Sequence, residues 1–308
     1  MEKLKHVISS RQFKDPGFLL SLFESAHQME RDDVFHALTD PLRGRILATL
    51  FFEPSTRTRF SFEAAMQKLG GGVLTSENAK ANSSATKGET ISDTVRIVSG
   101  YADAIAIRHY EQGAAEAAAR ISPVPIINAG DGVGEHPTQA LADIYTIKKE
   151  LGRLSGLRVA LVGDLLNGRT IHSLLPLLCL YPGVTIDLLS PAQLRLPPLY
   201  REFLAEKGVA FHEGERLEGV IEQADVAYIT RVQSERFVSK QEYDAVKDVY
   251  IIDAETANRL KPEAIIMHPL PRVNEISPEV DANTRAAYFK QAKNSLYIRM
   301  ALLKNLLA

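Results

Sequence analysis

The sequence predicts an α/β protein with two domains, each a parallel β-sheet flanked by helices. Short apolar runs alternate with segments of helical periodicity along the chain, as in parallel strands joined by crossover helices. The 308 residues exceed what one hydrophobic core usually serves, so two domains of about 150 residues are expected. We place residues 1–137 and 293–308 in the first domain and residues 138–292 in the second. The second domain then begins in the helix that precedes a Gly-punctuated segment at 152–156.

In the first half, each predicted strand is a continuous apolar run, and each predicted helix repeats apolar residues at helical spacing. The predicted strands are 46–52, 73–75, 104–109 and 125–129, and the predicted helices are 15–30, 56–69, 90–100, 111–120 and 137–151. The first helix has an Asp15-Pro16 start, and Pro137 suits the first position of the last one. The polar stretch 77–88, rich in Ser, Asn and Ala, is predicted to be a mobile loop.

The second half continues the same alternation. Its predicted strands are 157–164, 184–189, 209–212, 226–230, 250–252 and 264–267, and its predicted helices begin at 171 or span 197–207, 217–223 and 291–307. The charged stretch 233–247 is predicted to be a second mobile loop. Pro269 and Pro271 are expected to fix an extended backbone with free carbonyl oxygens.

The composition is that of an ordinary soluble globular protein, with 45% apolar residues, 24% charged residues and a net charge of −2. It lacks the basic excess expected of a nucleic-acid binder. No uninterrupted stretch reaches the ~20 apolar residues that span a bilayer, and the N-terminus lacks the apolar region of a signal peptide. We therefore expect small-molecule chemistry, without nucleic-acid or membrane partners.

Cysteine usage indicates a reducing compartment, and we expect a cytoplasmic location. The single cysteine, Cys179, excludes an internal disulfide and a multi-thiolate metal site. It lies in the apolar run 174–180, which favours a buried, inert thiol.

The segment 51–63 is the strongest functional motif of the first half. It places a turn between a buried strand and a helix, where unpaired N–H groups and the helix dipole favour an anion. Four residues there carry hydroxyl or guanidinium groups that can hold a phosphate: Ser55, Thr56, Arg57 and Thr58. The alternative is that Ser55 only caps the helix. Arg59 is expected to be structural, because it can pair with Glu63 four residues on.

Further polar residues follow other predicted strands, at the edge where parallel sheets bind ligands. They are, in chain order, Arg108, His136, Gln139, Arg169, Arg231 and Gln233. A lone histidine at a helix start, such as His136, is also compatible with a cap or a packed ring. We expect the site in the cleft between the domains.

The residue inventory points to transfer of an already activated group between anions, where positioning and charge stabilisation supply most of the rate. The sequence offers no nucleophile beside a base, no metal-ligand spacing and no Walker-type loop. The glycines of residues 163–168 depart from G-x-G-x-x-G, which argues against nicotinamide binding. We expect neither a cofactor nor a metal.

Taken together, the motifs resemble those of the aspartate carbamoyltransferase family, within the aspartate/ornithine carbamoyltransferase superfamily. They follow in order and span nearly the whole chain: Ser55-Thr56-Arg57-Thr58-Arg59, Arg108-His109, His136-Pro137-Thr138-Gln139, Gly168-Arg169-Thr170, Thr230-Arg231-Val232-Gln233 and His268-Pro269-Leu270-Pro271-Arg272.

The resemblance implies a role for each candidate residue. The phosphate of carbamoyl phosphate would be held by Ser55, Thr56, Arg57 and Thr58. The carbonyl oxygen would be surrounded by Thr58, Arg108 and His136. The carbamoyl amino group would face Gln139 and the backbone carbonyls of Leu270 and Pro271. L-Aspartate would be held by Arg169, Arg231 and Gln233.

The resemblance also implies a homotrimer whose active sites are shared between subunits. Ser83 and Lys87 would enter the site from a neighbouring chain, and Lys87 would take part in catalysis. Thr86 stands where some family members carry a second Lys, so this loop delivers less charge. In this family, regulatory chains or a dihydroorotase are further partners.

The implied reaction is carbamoyl transfer to L-aspartate, a step of pyrimidine biosynthesis. The neutral amine would attack the carbonyl carbon, and phosphate would leave without a covalent intermediate. An ornithine carbamoyltransferase is the nearest alternative. The resemblance to that family would be to a His-Cys-Leu-Pro motif, and this chain has His268-Pro269-Leu270-Pro271 instead. A non-catalytic anion-binding module on the same fold is a second alternative, since fold alone does not establish activity.

Overall fold

The apolar runs of the first half form a four-stranded parallel sheet. The computed structural model describes residues 3–308, and its first four strands are β1 (Ile46–Phe51), β2 (Gly72–Glu77), β3 (Ala104–His109) and β4 (Ile126–Asp131). They lie in the order β2-β1-β3-β4. The helices are α1 (Pro16–Val34), α2 (Thr56–Lys68), α3 (Ala79–Asn82), α4 (Ile91–Val98), α5 (Ala114–Ile121) and α6 (Pro137–Leu151).

The central strands of this sheet are covered on both faces, which explains why their sequences are apolar without alternation. In β3, residues 104–107 are all fully buried. One face packs Leu50 and Ile107 with Val95 of α4 and Ala118 of α5. The edge strand β2 is exposed or half-buried along its whole length.

The second half forms a five-stranded parallel sheet. Its strands are β5 (Arg158–Val162), β6 (Thr185–Leu189), β7 (Ala210–Gly214), β8 (Val226–Ile229) and β9 (Ile265–Met267), in the order β7-β6-β5-β8-β9. The remaining helices are α7 (Arg169–Leu178), α8 (Pro198–Glu206), α9 (Lys240–Asp244), α10 (Ala254–Arg259) and α11 (Tyr288–Leu307).

Two predicted elements of the second half are wrong. Residues 250–252 make only an isolated bridge, between Ile252 and Ile276, although Tyr250 and Ile252 are buried. The segment hydrogen-bonds to residues 275 and 277 instead of joining the sheet. The predicted helix 217–223 is reduced to a 3-10 turn at Ile221–Gln223, because Gly219 adopts a φ of 80° that ends a regular helix.

The two polar stretches predicted as loops contain short helices. Residues 77–88 include α3 and a 3-10 turn at Ser84–Lys87. Residues 233–247 include a 3-10 turn at Ser234–Arg236 and α9, whose first turn is capped by the Ser239 hydroxyl. Helices this short carry no long apolar period that would signal them in the sequence. The other 3-10 turns are Ser10–Gln12, Ala192–Leu194 and Pro278–Ala282.

The chain divides into two units. Unit 1 contains the residues up to Ala142 together with Lys293–Ala308, and unit 2 contains Asp143–Ala292. The sequence predicts a division after residue 137 instead. Residues 1 and 2 of the predicted first domain lie outside the described residues. Both divisions fall at helix α6 and assign residues from 293 onward to the first unit. Among residues 3–308, no helix is long and apolar enough to cross a membrane.

Candidate active site

The turn between β1 and α2 presents an uncommitted guanidinium at a helix N-terminus. Ser55 is the N-cap residue of α2, but its side chain makes no capping hydrogen bond, so the alternative of a simple side-chain cap does not hold. Arg57 is exposed, and within the described residues no carboxylate lies within 4.0 Å of its guanidinium. Partial burial lowers the pKa of Arg57, which remains charged at any physiological pH. The turn can therefore bind an anion.

Arg59 is structural, as predicted. Its Nη1 lies 3.5 Å from Oε1 of Glu63, and its Nη2 lies 2.8 Å from Oε2 of Glu77 at the end of β2. Its side chain is only 12% exposed. The two neighbouring arginines of the motif thus differ in role, because one is bound to carboxylates and the other is not.

Two residues, one after β1 and one after β4, form the polar floor of unit 1. Thr58 in the first turn of α2 and His136 just before α6 are both buried, and Thr58 Oγ1 lies 3.4 Å from His136 Nε2. The carbonyl oxygen of His136 accepts the N–H groups of Gln139 and Ala140, so the ring sits at the positive end of α6.

Arg108, at the end of β3, lies beside this floor. Its Nη1 donates to the Ala129 carbonyl oxygen at 3.4 Å, and its Nε lies 3.5 Å from the Glu53 carboxylate. Glu53 was not singled out by the sequence analysis, although it stands within the segment 51–63. Gln139 lies one turn into α6 and is half-buried.

A buried arginine that the sequence analysis missed joins the helices carrying these groups. Arg299 of α11 is 2% exposed. Its Nη1 donates to Ser61 Oγ at 2.6 Å on α2, and its Nη2 donates to Thr138 Oγ1 at 3.4 Å on α6. The guanidinium also lies over the Phe62 ring at 4.8 Å. Arg299 therefore fixes α2 and α6 relative to each other, and hence the turns that bear Thr58 and His136.

The segment after the edge strand β2 carries the two residues expected to serve a neighbouring chain. Ser83 donates through Oγ to the Ala79 carbonyl oxygen at 2.5 Å. Lys87 is exposed, and among residues 3–308 no carboxylate lies within 4.0 Å of its ammonium group. Thr86 Oγ1 donates to the Ser83 carbonyl oxygen at 2.9 Å, which closes the turn between them.

In unit 2, a buried carboxylate contacts both the loop before Arg169 and the loop that bears Gln233. Asp164 is fully buried after β5, accepts the Asn167 N–H at 2.9 Å and lies 3.5 Å from the Gln233 N–H. Gln233 Nε2 donates to the Asn167 carbonyl oxygen at 3.0 Å. Burial raises the pKa of Asp164, and the hydrogen bonds from Asn167 oppose that rise. Arg169 is the half-buried first residue of α7.

Glycine is required in this pair of loops by close approach of the backbone. A Cβ at Gly163, where φ is 114°, would lie 2.3 Å from the Thr230 carbonyl oxygen. A Cβ at Gly168 would lie 2.5 Å from the Asp164 carbonyl oxygen. These glycines allow the loops after β5 and β8 to pack together.

Arg231 forms a bidentate ion pair with its own loop. Its Nη1 donates to Glu235 Oε2 at 3.0 Å and its Nη2 donates to Glu235 Oε1 at 2.6 Å. This hydrogen bonding raises the pKa of Arg231 and lowers the pKa of Glu235. The guanidinium is held in one orientation after β8, with its side chain 25% exposed.

The loop after β9 differs from the extended backbone predicted for it. Leu270 adopts a φ of 53°, in the left-handed region, and its N–H donates to Nδ1 of His268 at 2.7 Å. A non-glycine residue in this region is strained by about 1–2 kcal/mol. Within the described part of the chain, no donor is bonded to the carbonyl oxygens of Leu270 or Pro271. The prediction of free carbonyl oxygens holds, while that of an extended backbone is wrong.

Each unit therefore collects its candidate residues at the carboxyl ends of neighbouring parallel strands. In unit 1 they follow β1, β3 and β4, and in unit 2 they follow β5, β8 and β9. Over residues 3–308, no group of three or more His, Cys, Asp or Glu side chains is arranged to hold a metal ion.

Comparisons with known proteins cover almost the entire chain. Residues 5–149 match the family model described as "Aspartate/ornithine carbamoyltransferase, carbamoyl-P binding domain". Residues 155–306 match "Aspartate/ornithine carbamoyltransferase, Asp/Orn binding domain". The second range includes residues 293–306 of α11, which the contacts within the chain assign to unit 1.

Curated relatives and solved structures agree with these models. The chain is 51% identical over 306 residues to the chloroplastic aspartate carbamoyltransferase of Arabidopsis thaliana. This alignment covers 99% of this chain and 78% of the relative. It is 52% identical over 264 residues to the aspartate carbamoyltransferase catalytic subunit of Clostridium novyi (strain NT), with 86% of each chain covered.

Among solved structures, Trypanosoma cruzi aspartate transcarbamoylase in complex with N-(phosphonacetyl)-L-aspartic acid matches with a TM-score of 0.94 and 42% identity, covering 99% of this chain and 97% of that one. The catalytic subunit of M. jannaschii aspartate transcarbamoylase matches with a TM-score of 0.91 and 47% identity, covering 98% of each. With both family models matched in order, and with relatives at this identity along nearly its full length, the chain belongs to the aspartate/ornithine carbamoyltransferase family, on its aspartate carbamoyltransferase side.

Proposed function

We propose that this protein transfers the carbamoyl group of carbamoyl phosphate to the amino group of L-aspartate. The C–N bond to aspartate forms first, and the C–O bond to phosphate then breaks, which gives N-carbamoyl-L-aspartate and phosphate. The same products would serve de novo pyrimidine biosynthesis. The names of the relatives support the reaction, since the T. cruzi structures include complexes with carbamoyl phosphate and aspartate.

In this proposal, unit 1 binds carbamoyl phosphate. The turn Ser55 to Thr58 holds the phosphate, with Arg57 as its charged partner. The tetrahedral intermediate develops an oxyanion, which receives hydrogen bonds from Thr58 and His136 and the charge of Arg108. The arginine guanidinium offers several N–H groups, so its contact with Ala129 does not exhaust its donors.

Unit 2 supplies the remaining contacts. Arg169, Arg231 and Gln233 hold the carboxylates of L-aspartate. The carbonyl oxygens of Leu270 and Pro271 accept hydrogen bonds from the carbamoyl amino group, as does the side chain of Gln139 from unit 1. The departing phosphate accepts the proton of the attacking amine, so no side-chain base is needed. The reaction requires both sets of residues to contact one substrate pair.

One observation carries this proposal: Thr58 Oγ1 and His136 Nε2 lie 3.4 Å apart, buried, next to an arginine that no carboxylate of the described residues neutralises. Two hydrogen-bond donors from different elements that meet beside an anion-binding turn suit a developing oxyanion next to a phosphate. An ion-binding module without catalysis would need the phosphate turn alone.

The test is a carbamoylation assay with purified protein. With carbamoyl phosphate and L-aspartate, we expect N-carbamoyl-L-aspartate and phosphate in equal amounts, measured by mass spectrometry and by phosphate release. L-Ornithine in place of aspartate serves as the matched control and should give no product above background. Product from ornithine alone would identify the other branch of the family, and no product from either amine would refute a carbamoyltransferase.

We also propose that the protein acts as a homotrimer in which Ser83 and Lys87 complete the site of a neighbour. Edge strand β2 is exposed, with Leu74 45% exposed, and an unprotected edge of this kind is usually covered by another element or chain. The segment with both residues follows this strand directly, and its Lys87 finds no carboxylate among the described residues.

A cytoplasmic location is proposed on cysteine usage alone. The only thiol, Cys179, is unpaired, which suits a reducing compartment. The plant relatives are named chloroplastic, which describes those proteins. Fractionation of the source cells with an antibody against the protein would decide the compartment.

A further inference from the structure

The loop after β9 is held by a chain of hydrogen bonds that the mechanism above does not use. It begins at Leu270, whose left-handed backbone is kept in place by the N–H bond to His268 Nδ1 at 2.7 Å. Since Nδ1 accepts this bond, the neutral ring carries its proton on Nε2. That atom lies 2.8 Å from Oε1 of Glu275 and donates to it.

Glu275 is fully engaged in turn. Its second oxygen, Oε2, accepts the N–H groups of Val273 and Asn274, both at 3.1 Å. The carboxylate is only 5% exposed. Burial alone would raise the pKa of Glu275, but the hydrogen bonds that it accepts from His268 and from the backbone outweigh it and leave the pKa lowered, so the residue stays an acceptor.

The backbone of His268 is anchored as firmly as its ring. Its N–H donates to Gln291 Oε1 at 2.9 Å, and Gln291 Nε2 donates to Asp143 Oδ1 at 2.7 Å. Tyr228 Oη donates to the other Asp143 oxygen at 2.8 Å. Each residue that contributes a side chain to this chain of bonds is at most 5% exposed. Buried polar networks of this kind fix one geometry when their members are satisfied.

We propose that His268 is a positioning residue for carbamoyl transfer. Through Nδ1 it holds the N–H of Leu270, and so aims the carbonyl oxygens of Leu270 and Pro271 at the amino group of the carbamoyl donor. Glu275 acts through His268 by fixing its tautomer. This inference rests on the proposed function, since it needs carbamoyl phosphate as the ligand of those carbonyls.

Two substitutions at this position separate the two sides of the ring. In His268→Asn, the amide oxygen takes the place of Nδ1 and can accept the N–H two residues on, as in an Asx turn, while the bond to Glu275 is lost. In His268→Gln, the longer amide reaches the place of Nε2 and can donate to Glu275, while the acceptor for the Leu270 N–H is lost.

The probes are carbamoyl phosphate and acetyl phosphate, which carries a methyl group in place of the amino group. Calorimetry gives the ratio of their dissociation constants for the native protein and for each variant. We expect His268→Gln to lose about 10-fold in preference for carbamoyl phosphate, the scale of one or two hydrogen bonds, with acetyl phosphate binding unchanged. His268→Asn should keep the preference of the native protein.

A purely structural role for His268 gives a different pattern. Asn would then be the more damaging change, because it leaves the buried Glu275 carboxylate without its donor, and both phosphates would bind more weakly in proportion. That outcome, or a native preference in folded His268→Gln, overturns the inference. If the native protein itself fails to carbamoylate aspartate, the proposed function falls first and the inference falls with it.

A second variant covers the case in which His268→Gln does not fold. In Glu275→Gln, the amide must turn its oxygen toward the N–H groups of Val273 and Asn274, so its NH₂ faces His268 Nε2. The ring then has to place its proton on Nδ1, against the Leu270 N–H. We expect the same loss of preference, with a change of tautomer visible in ¹⁵N NMR of labelled histidine. An unchanged tautomer with an unchanged preference contradicts the assignment.

Discussion

Oγ1 of Thr58 lies 3.4 Å from Nε2 of His136, although 78 residues separate them in the chain. The contact exists because β1 and β4 both end at the same edge of one parallel sheet, and because the helix that follows each strand starts there. Neither residue alone distinguishes a catalytic group from a helix cap. Their meeting in a buried position beside Arg57 favours the catalytic roles proposed for them.

Removing the His136 ring should lower turnover more than it weakens binding. The reason is that a donor to the carbonyl oxygen gains strength only as negative charge develops. We expect His136→Ala to reduce kcat by about 10²–10³-fold with a much smaller change in the dissociation constant of carbamoyl phosphate. Steady-state kinetics and calorimetry on the same preparation measure the two quantities.

The Thr58 hydroxyl provides the matched comparison. Thr58→Ser keeps the donor and Thr58→Val removes it at nearly constant volume, so only the second should reproduce the kinetic loss of His136→Ala.

The positive end of α6 opposes added charge on His136, which predicts a neutral ring throughout the active pH range. A charged ring in NMR spectra of the active enzyme would be incompatible with this role.

The two arginines of the motif should separate function from stability. Arg57→Ala should reduce turnover by at least ~10²-fold while leaving the melting temperature unchanged, because the guanidinium has no partner carboxylate among residues 3–308 to lose. Arg59→Ala should retain far more activity but destabilise the fold by about 1–3 kcal/mol, since Glu77 would lose its donor and Glu63 its charged partner.

Activity assays and urea unfolding on both variants test the pair. Native-like turnover in Arg57→Ala would remove the phosphate assignment. An unfolding midpoint for Arg59→Ala equal to that of the native protein would contradict its structural role.

Arg231→Ala should mainly damage the use of aspartate. The substrate carboxylate would lose its charged partner, while the phosphate turn of unit 1 is untouched. We expect the KM for aspartate to rise by at least ~10-fold, the scale of a charge-assisted hydrogen bond, with carbamoyl phosphate affinity unchanged in calorimetry. Arg236→Ala, a change on the same loop, is the control and should affect neither. An equal loss of affinity for both substrates would assign Arg231 another role.

The strands that lead to the site could be predicted from sequence because they are continuous apolar runs buried on both faces. Runs ending at Arg108 and before Arg231 stand out for that reason. Residues 250–252 carry the same signal but lie outside the sheet, where Ile252 pairs with Ile276. An apolar run indicates that a segment is buried, but it does not indicate which other segment covers it.

The supporting residues could not be predicted in the same way. Arg299 stands in a helix that repeats apolar residues, and only the folded chain brings it to Ser61 and Thr138. The left-handed backbone of Leu270 is equally hidden, because no local rule places a leucine there. These features depend on contacts between segments far apart in the sequence.

The thiol of Cys179 should be inert in the folded protein. The residue is half-buried, and burial raises the pKa of its thiol to about 11. Because the thiolate is the nucleophile, we expect Ellman's reagent at pH 8 to react about 10²-fold more slowly than with the urea-unfolded chain. Equal rates would show that the thiol is not buried.

The same shift predicts the direction of a pH effect on stability. As the pH rises from the ordinary thiol value of 9.0 toward about 11, the unfolded chain loses this proton while the folded chain keeps it. The free energy of unfolding should therefore fall in that window. Cys179→Ala is the control, and its stability should fall less steeply over the same range.

Mixed assemblies test whether the active site is shared between chains. If each site needs Arg57 from one chain and Lys87 from the next, inactive Arg57→Ala and inactive Lys87→Ala chains should regain activity when they are mixed and reassembled. Every mixed ring then has one junction at which both native residues meet. Random mixing in equal amounts puts about three quarters of the rings in the mixed class, with one good site in three, so activity near ~25% of native follows from a closed three-fold ring. Subunit exchange is verified by native mass spectrometry of chains with different tags, and reassembled Arg57→Ala chains alone serve as the blank. Exchange without any recovery of activity would show that Lys87 serves the site of its own chain or none.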